Sequence, residues 1–211
     1  MIFKDRQKGK RAEAEPAVKA SAVYDYDSKM NCFQAQGFLQ WSKIRKLYKN
    51  AFPRAERKPL YIIKSMQKSR KTDVWFFEKD GKFVGFASTI NGDEIILLDY
   101  LAVDTARRGT GIGSEILQSL RQQYTGKGIF VEIERVKESA DASDHRRKRK
   151  QFYITNGMKE LGVTAKVFGV EMELMGWNCA LDFDAYQSFY RDYYSEFAAK
   201  NLIDLSRSNN Q

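Results

Sequence analysis

Between Leu97 and Leu117 the chain reads LLDYLAVDTARRGTGIGSEIL, an apolar β-rich run, a glycine-rich turn and then helical spacing. Gly109, Gly111 and Gly113 crowd this turn. Each costs backbone entropy, which is tolerated where the backbone must come close to something. At a strand, glycine loop and helix junction the usual guest is a phosphate, held by free N–H groups and the helix dipole.

The flanking sequence places that junction in a domain. FLQWSKIRKLYKNAFP carries Leu39, Ile44, Leu47, Tyr48 and Phe52 at helical spacing and stops at Pro53. LYIIKSMQKS, after Pro59, suggests a second helix. From Asp73, two turn signals, Lys79-Asp80-Gly81 and Asn91-Gly92-Asp93, divide three β-rich runs into an antiparallel meander. GSEILQSLRQQYTGKG is an amphipathic helix with Ile116, Leu117, Leu120 and Tyr124 on one face. GIFVEIERV reads as a strand, and HRRKRKQFYITNGM as a helix ending at Asn156-Gly157. KELGVTAKVFGVEMELMGW reads as a hairpin turning at Phe168-Gly169, and an aromatic-rich helix follows from Leu181. This order is that of a mixed α/β domain with one central sheet. The expected division is a basic flexible tail over 1–29, the domain over 30–178, and the aromatic helix and tail over 179–211.

Composition excludes several classes. No apolar run approaches the ~18 residues of a membrane span, and the N-terminus lacks the apolar core of a secretory signal. Cys32 and Cys179 make no disulfide framework or metal spacing, so a reducing cytoplasm is the expected setting. The single His145 excludes a multi-histidine metal site, and no metal is expected. The net charge of +9 favours an anionic partner, whether nucleic acid, an acidic surface or a polyphosphate, or serves solubility alone.

Three phosphate loops fail against residues 107–114. A Walker loop needs a lysine where Ile112-Gly113-Ser114 has none. A dinucleotide fingerprint has wider glycine spacing and opens the first βαβ unit. A kinase glycine loop lies in a hairpin. Arg108, Gly111 and Gly113 instead fit R/Q-x-x-G-x-G/A directly after a strand. FVEIE, QFYITNGM (with Met158 at a usual aromatic position) and LYKNAFPRAERKPL stand in the matching order. Over residues 30–176 the sequence resembles the GNAT superfamily of N-acetyltransferases.

That resemblance implies a central, mostly antiparallel, splayed sheet flanked by helices, with an extra helix at the C-terminus. It implies acetyl-CoA as co-substrate. The pyrophosphate would sit on Arg108, Gly109, Thr110, Gly111, Ile112, Gly113 and Ser114, and the pantetheine would pair with Leu101, Ala102 and Val103. Tyr153 matches the family's helix tyrosine facing the coenzyme sulfur. With an ordinary pKa of about 10 it would stay protonated as the acid for the leaving thiolate. Glu132 matches the strand glutamate used as base by ribosomal-protein alanine acetyltransferases. Alternation puts Glu134 on its face, where the pair would raise each other's pKa and attract a cationic amine, unless both pair with residues 146–150. Asp99 is a further acid near the turn, acting through water or orienting neighbours. The sequence departs from the family between Glu134 and Phe152, where the segment is long and lacks the asparagine many members place there for pantetheine.

The basic run 145–150 opens a helix against its dipole and so suggests a nearby anion, or a solvated face neutralised by Glu138, Asp141 and Asp144. The leading function is acetyl transfer to a primary amine of a small molecule, peptide or protein. The alternatives are a basic nucleic-acid-binding protein, disfavoured because no matching motif is evident, and an idle acyl-CoA-binding module. Tyr186, Phe189, Tyr190, Tyr193 and Phe197 recur on one face of the C-terminal helix. They must be covered, by their own domain, by a homodimer contact or as a wall of the acceptor site.

Overall fold

The computed structural model describes residues 29–136, 141 and 144–206. The tail expected over 1–29 and Glu138 fall outside them, save for Lys29. The chain opens with β1 (Asn31–Gln34), then α1 (Gly37–Ala51) and α2 (Leu60–Lys68). The meander follows as β2 (Thr72–Lys79), β3 (Lys82–Asn91) and β4 (Ile95–Val103). Beyond the glycine turn come α3 (Ile112–Gln123), β5 (Gly128–Glu134) and α4 (His145–Thr155). The hairpin β6 (Lys159–Val167) and β7 (Val170–Trp177) turns at Phe168-Gly169. The chain then runs through α5 (Phe183–Phe189), a π-helical turn (Tyr190–Tyr194), α6 (Glu196–Lys200) and β8 (Leu202–Asp204).

The eight strands form one sheet in the order β1-β2-β3-β4-β5-β7-β6-β8. Every pairing is antiparallel except β4 with β5, which is parallel and limited to Ile95–Leu97 against Gly128–Phe130. Beyond those pairs β4 continues with β3, and β5 continues with β7. This is the expected splay. The β3–β4 register shifts as well: Ser88 faces Tyr100 and Thr89 faces Leu98, which leaves Asp99 unopposed. Such a bulge bends its strand and re-aims a side chain.

Alternation along the strands divides the core. Trp75, Phe77, Ile96, Leu98, Val131 and Ile133 meet α3 and Tyr153 on one face. Val74, Phe76, Phe86 and Tyr100 meet α1 and α2 on the other, where Leu97 and Phe130 meet the C-terminal segment.

Three expectations are corrected. β1 and β8 went unforeseen because strands of four and three residues are too short to show a period. On α1, Ile44, Leu47 and Tyr48 are buried, but Leu39 is 76% exposed at the first turn, before the helix reaches the sheet. The C-terminal helix is broken. Ser195 is extended (φ −170°, ψ 151°) and caps α6 by accepting from Ala198 N at 3.0 Å. The helical phase is lost there, so Phe197 is 72% exposed while Tyr186, Phe189 and Tyr190 are buried.

Candidate active site

Two cavities meet at the splay. The larger, about 820 Å3, runs along Leu101, Ala102 and Val103, past Arg107, Arg108, Gly109, Gly111, Gly113 and Ser114, to α4. Gly111 precedes α3 at φ 86° with open space where a side chain would stand. An L-residue is strained in that left-handed conformation. The first turn of α3 thus presents N–H groups that have no intrahelical partners, at the positive end of the dipole. A Cβ on Gly113 would lie 3.0 Å from the Phe152 ring, so this glycine lets α4 close over the groove. Thr110 and Ile112 do not line it. The Thr110 hydroxyl donates to the Arg107 carbonyl at 2.7 Å, and Ile112 is buried in the core.

Helical periodicity sorts the basic run of α4. His145, Lys148 and Arg149 share a face with Phe152 and Tyr153 and line the groove. Arg146 turns back to Asp144 at 2.6 Å, and holds that carboxyl well below the usual carboxylate range. Lys150 reaches Glu173 at 2.6 Å and Glu160 at 3.1 Å, partners not foreseen from sequence. The groove therefore collects Arg107, Arg108, His145, Lys148 and Arg149 beside the glycine turn.

The second cavity, about 350 Å3, shares Phe52, Leu98, Asp99, Glu132 and Arg149 with the groove. Glu134 lines this cavity alone, as do Tyr190 and Tyr194. Glu132 Oε1 accepts from the Tyr186 hydroxyl at 2.5 Å and the Tyr190 hydroxyl at 2.6 Å. Oε2 has no protein donor among the described residues. Burial pushes the Glu132 pKa up, against the two tyrosine donors, and the Asp99 charge adds to the rise. The neighbouring carboxylate that matters is thus Asp99 on the adjacent strand, not Glu134 two residues along. The partners of Glu132 are tyrosines, not the basic run.

Asp99 is itself engaged. Both its oxygens lie 2.7 Å from Lys58 Nζ, which also sits 4.3 Å from the centre of the Tyr194 ring. Burial works against the Lys58 charge, but Asp99 and Tyr194 outweigh it and its pKa is raised. Tyr100 is buried beside this lysine, with its ring centre 5.5 Å from Lys58 Nζ. Its hydroxyl donates to the Glu56 carbonyl at 2.8 Å and accepts from Lys58 N at 3.2 Å, which fixes the segment carrying Lys58. Tyr153 is 8% exposed on the groove wall, with no hydrogen bond to protein among the described residues. Burial pushes its pKa up to about 12, with Arg149 pulling the other way.

Residues 70–160 match the family model for the acetyltransferase (GNAT) domain. Solved structures share the fold. A GNAT-family protein from Bacteroides thetaiotaomicron superposes with a TM-score of 0.61 at 17% identity, over 78% of this chain and 98% of that one. Residues 70–160 thus match a GNAT acetyltransferase domain, in a chain that shares the fold of GNAT structures. An aminoglycoside 6'-N-acetyltransferase complexed with coenzyme A gives 0.57 at 17% identity, over 71% of this chain and 96% of that one. The ribosomal-protein-S18-alanine N-acetyltransferase from Escherichia coli gives 0.54 at 15%, over 73% and 96%. At such identities the likeness is one of fold. No curated protein sequence matches the chain. Among the described residues, no helix is long and apolar enough to cross a membrane.

Around this site, Lys58, Tyr194 and the hydroxyl contacts of Tyr186 and Tyr190 were not foreseen from sequence. The tyrosines were visible as an aromatic face, and their spacing of four carried the signal. Their hydroxyls could have been asked for a buried partner. Lys58 offered no signal, since nothing local distinguishes it from other lysines.

Proposed function

We propose that this GNAT domain transfers an acetyl group from acetyl-CoA to a primary amine by direct attack in a ternary complex. One observation carries the reading: the groove and the second cavity meet at Asp99 and Glu132. A donor along the groove and an amine in the cavity would come together beside two carboxylates.

The groove fits the coenzyme. The amides opening α3 and the side chains of Arg107, Arg108 and Lys148 suit a pyrophosphate and an adenosine phosphate. Beyond its β3 pairing, the edge of β4 at Leu101–Val103 suits an extended pantetheine arm. The co-substrate supplies an acetyl group activated as a thioester.

The chain's own groups supply the rest. An ammonium must lose a proton before it can attack, and Glu132 Oε2 is the acceptor left open by the two tyrosines. Its raised pKa brings it nearer neutrality, where a general base is most effective. Asp99 is paired with Lys58, which fixes both groups at the junction. Tyr153 is the donor for the departing thiolate, and a pKa of about 12 keeps it protonated at any working pH. No side chain forms a covalent intermediate, because the amine is the nucleophile.

A second reading, an acyl-CoA-binding module without turnover, draws on the neutralisation of Asp99 by Lys58. The two part in a simple pair of measurements. Calorimetry with acetyl-CoA tests the groove, and thiol release across an amine panel tests the chemistry. Binding with amine-dependent thiol release is the expected result. Binding without release for any amine leaves the idle module, and no binding removes both.

A further inference from the structure

The acceptor cavity continues outward. A groove of about 830 Å3 lies between α1 and α2, and Arg57 and Lys58 line both it and the cavity. Arg45, Lys49, Arg54, Arg57, Lys58 and Lys64 line this groove, and no carboxylate does. Lys58 is committed to Asp99, and Lys64 sits 4.7 Å from the centre of the Trp41 ring. The other four form no ion pair among the described residues. A basic stripe on one helix would be an ordinary solvated face. Here two helices and the turn between them bring the charges to one concave surface, which focuses the field on whatever enters. Pro59, Leu60 and the 74% exposed Tyr61 add apolar surface against which a chain can lie.

Building on the acetyl-transfer reading above, we propose that this groove binds an acidic stretch of a polypeptide acceptor, whose amine passes Arg57 and Lys58 into the cavity. The cations complement aspartate and glutamate side chains. The position of the groove, at the entrance to a cavity ending in Glu132 and Asp99, requires the anionic ligand to carry a nucleophilic amine. A lysine or an N-terminus beside acidic residues meets both conditions. Nucleic acid meets only the first, because the exocyclic amines of bases are delocalised into the ring and are poor nucleophiles.

The test is fluorescence anisotropy with labelled peptides that share one lysine and differ in its flanks, glutamate in one and glutamine in the other. A single-stranded oligonucleotide serves as competitor. The glutamate peptide should bind about tenfold tighter at low salt, with the advantage shrinking as salt rises. Lys49→Glu and Arg54→Glu should each weaken it by roughly three- to tenfold while leaving acetyl-CoA affinity and melting temperature unchanged. Equal binding of the two peptides, or indifference to both reversals, overturns the proposal. So does an oligonucleotide that displaces the peptide and binds more tightly through the same residues. Anisotropy reads binding without turnover. A glutamate peptide that binds through Lys49 and Arg54 but is never acetylated counts against the acetyl-transfer reading and leaves the groove standing.

Discussion

The Tyr190 hydroxyl donates to Glu132 Oε1 at 2.6 Å across 58 residues of sequence, from a segment that follows the last residue of the matched family region. Tyr186 donates to the same oxygen at 2.5 Å. The C-terminal segment therefore covers the sheet and also orients the carboxylate at the junction of the two cavities.

Removing one hydroxyl tests that orientation. Tyr190→Phe keeps the ring and takes away a donor that lowers the Glu132 pKa. The acidic limb of the kcat profile should move to higher pH, kcat at neutral pH should fall, and the acetyl-CoA Kd should hold. Loss of a hydrogen bond to a charged group should also cost about 1.5–3 kcal/mol of stability, read by denaturant unfolding. An unmoved limb with reduced stability would make the contact purely structural.

Gly111 is the test of the glycine turn. Gly111→Glu should abolish acetyl-CoA binding in calorimetry, because it sets bulk and negative charge against a phosphate site. Gly111→Ala carries only the cost of the left-handed backbone, about 1–2 kcal/mol, and should bind better than the glutamate variant. Equal affinity of both variants and the parent would mean that the loop is only a turn.

Tyr153→Phe removes the proton donor and keeps the ring. Turnover should fall by roughly 10²–10⁴-fold with little change in coenzyme affinity. Because the Tyr153 pKa is pushed up to about 12, the parent enzyme should lose no activity through this group up to pH 10. Full activity in the variant would assign the thiolate proton to water or another donor.

The C-terminal segment is also core. Phe189 is 3% exposed, with its ring centre 5.1 Å from that of Phe130. Phe189→Ala should cost about 3–5 kcal/mol. Truncation after Asn178 should give an insoluble or strongly destabilised protein. A truncated chain with unchanged melting temperature and turnover would separate the segment from both core and site.

How much of this was legible follows from which interactions are local. The meander, the glycine turn, α3, α4 and the hairpin at Phe168 are written in turn residues and apolar period, and they stand where the sequence put them. The division of 145–150 between groove and ion pairs was implicit in the helical repeat, which sets His145, Lys148 and Arg149 beside Phe152 and Tyr153. The Asp99 bulge was not legible, because a register shift depends on the partner strand. Neither was Lys58–Asp99, which spans 41 residues and arises only when the turn after α1 folds over β4. The break at Ser195 was missed because the aromatic spacing continues through it. Only the packing shows that Phe197 has left the face.

Glu132 is the group assigned to take the proton from the acceptor amine at the junction of groove and cavity. Glu132→Gln tests that assignment most directly, because the amide can still accept from Tyr186 and Tyr190 but cannot act as a base at neutral pH. The measurement is the pH dependence of kcat/KM for amine acetylation, with product and free thiol quantified together, on an amine that the panel has identified. The parent should show an acidic limb above the ordinary carboxylate range. The variant should keep its acetyl-CoA affinity, lose roughly 10²–10⁴-fold in rate and lose that limb. A variant that turns over at the parental rate with the same limb would rule out Glu132 as the base.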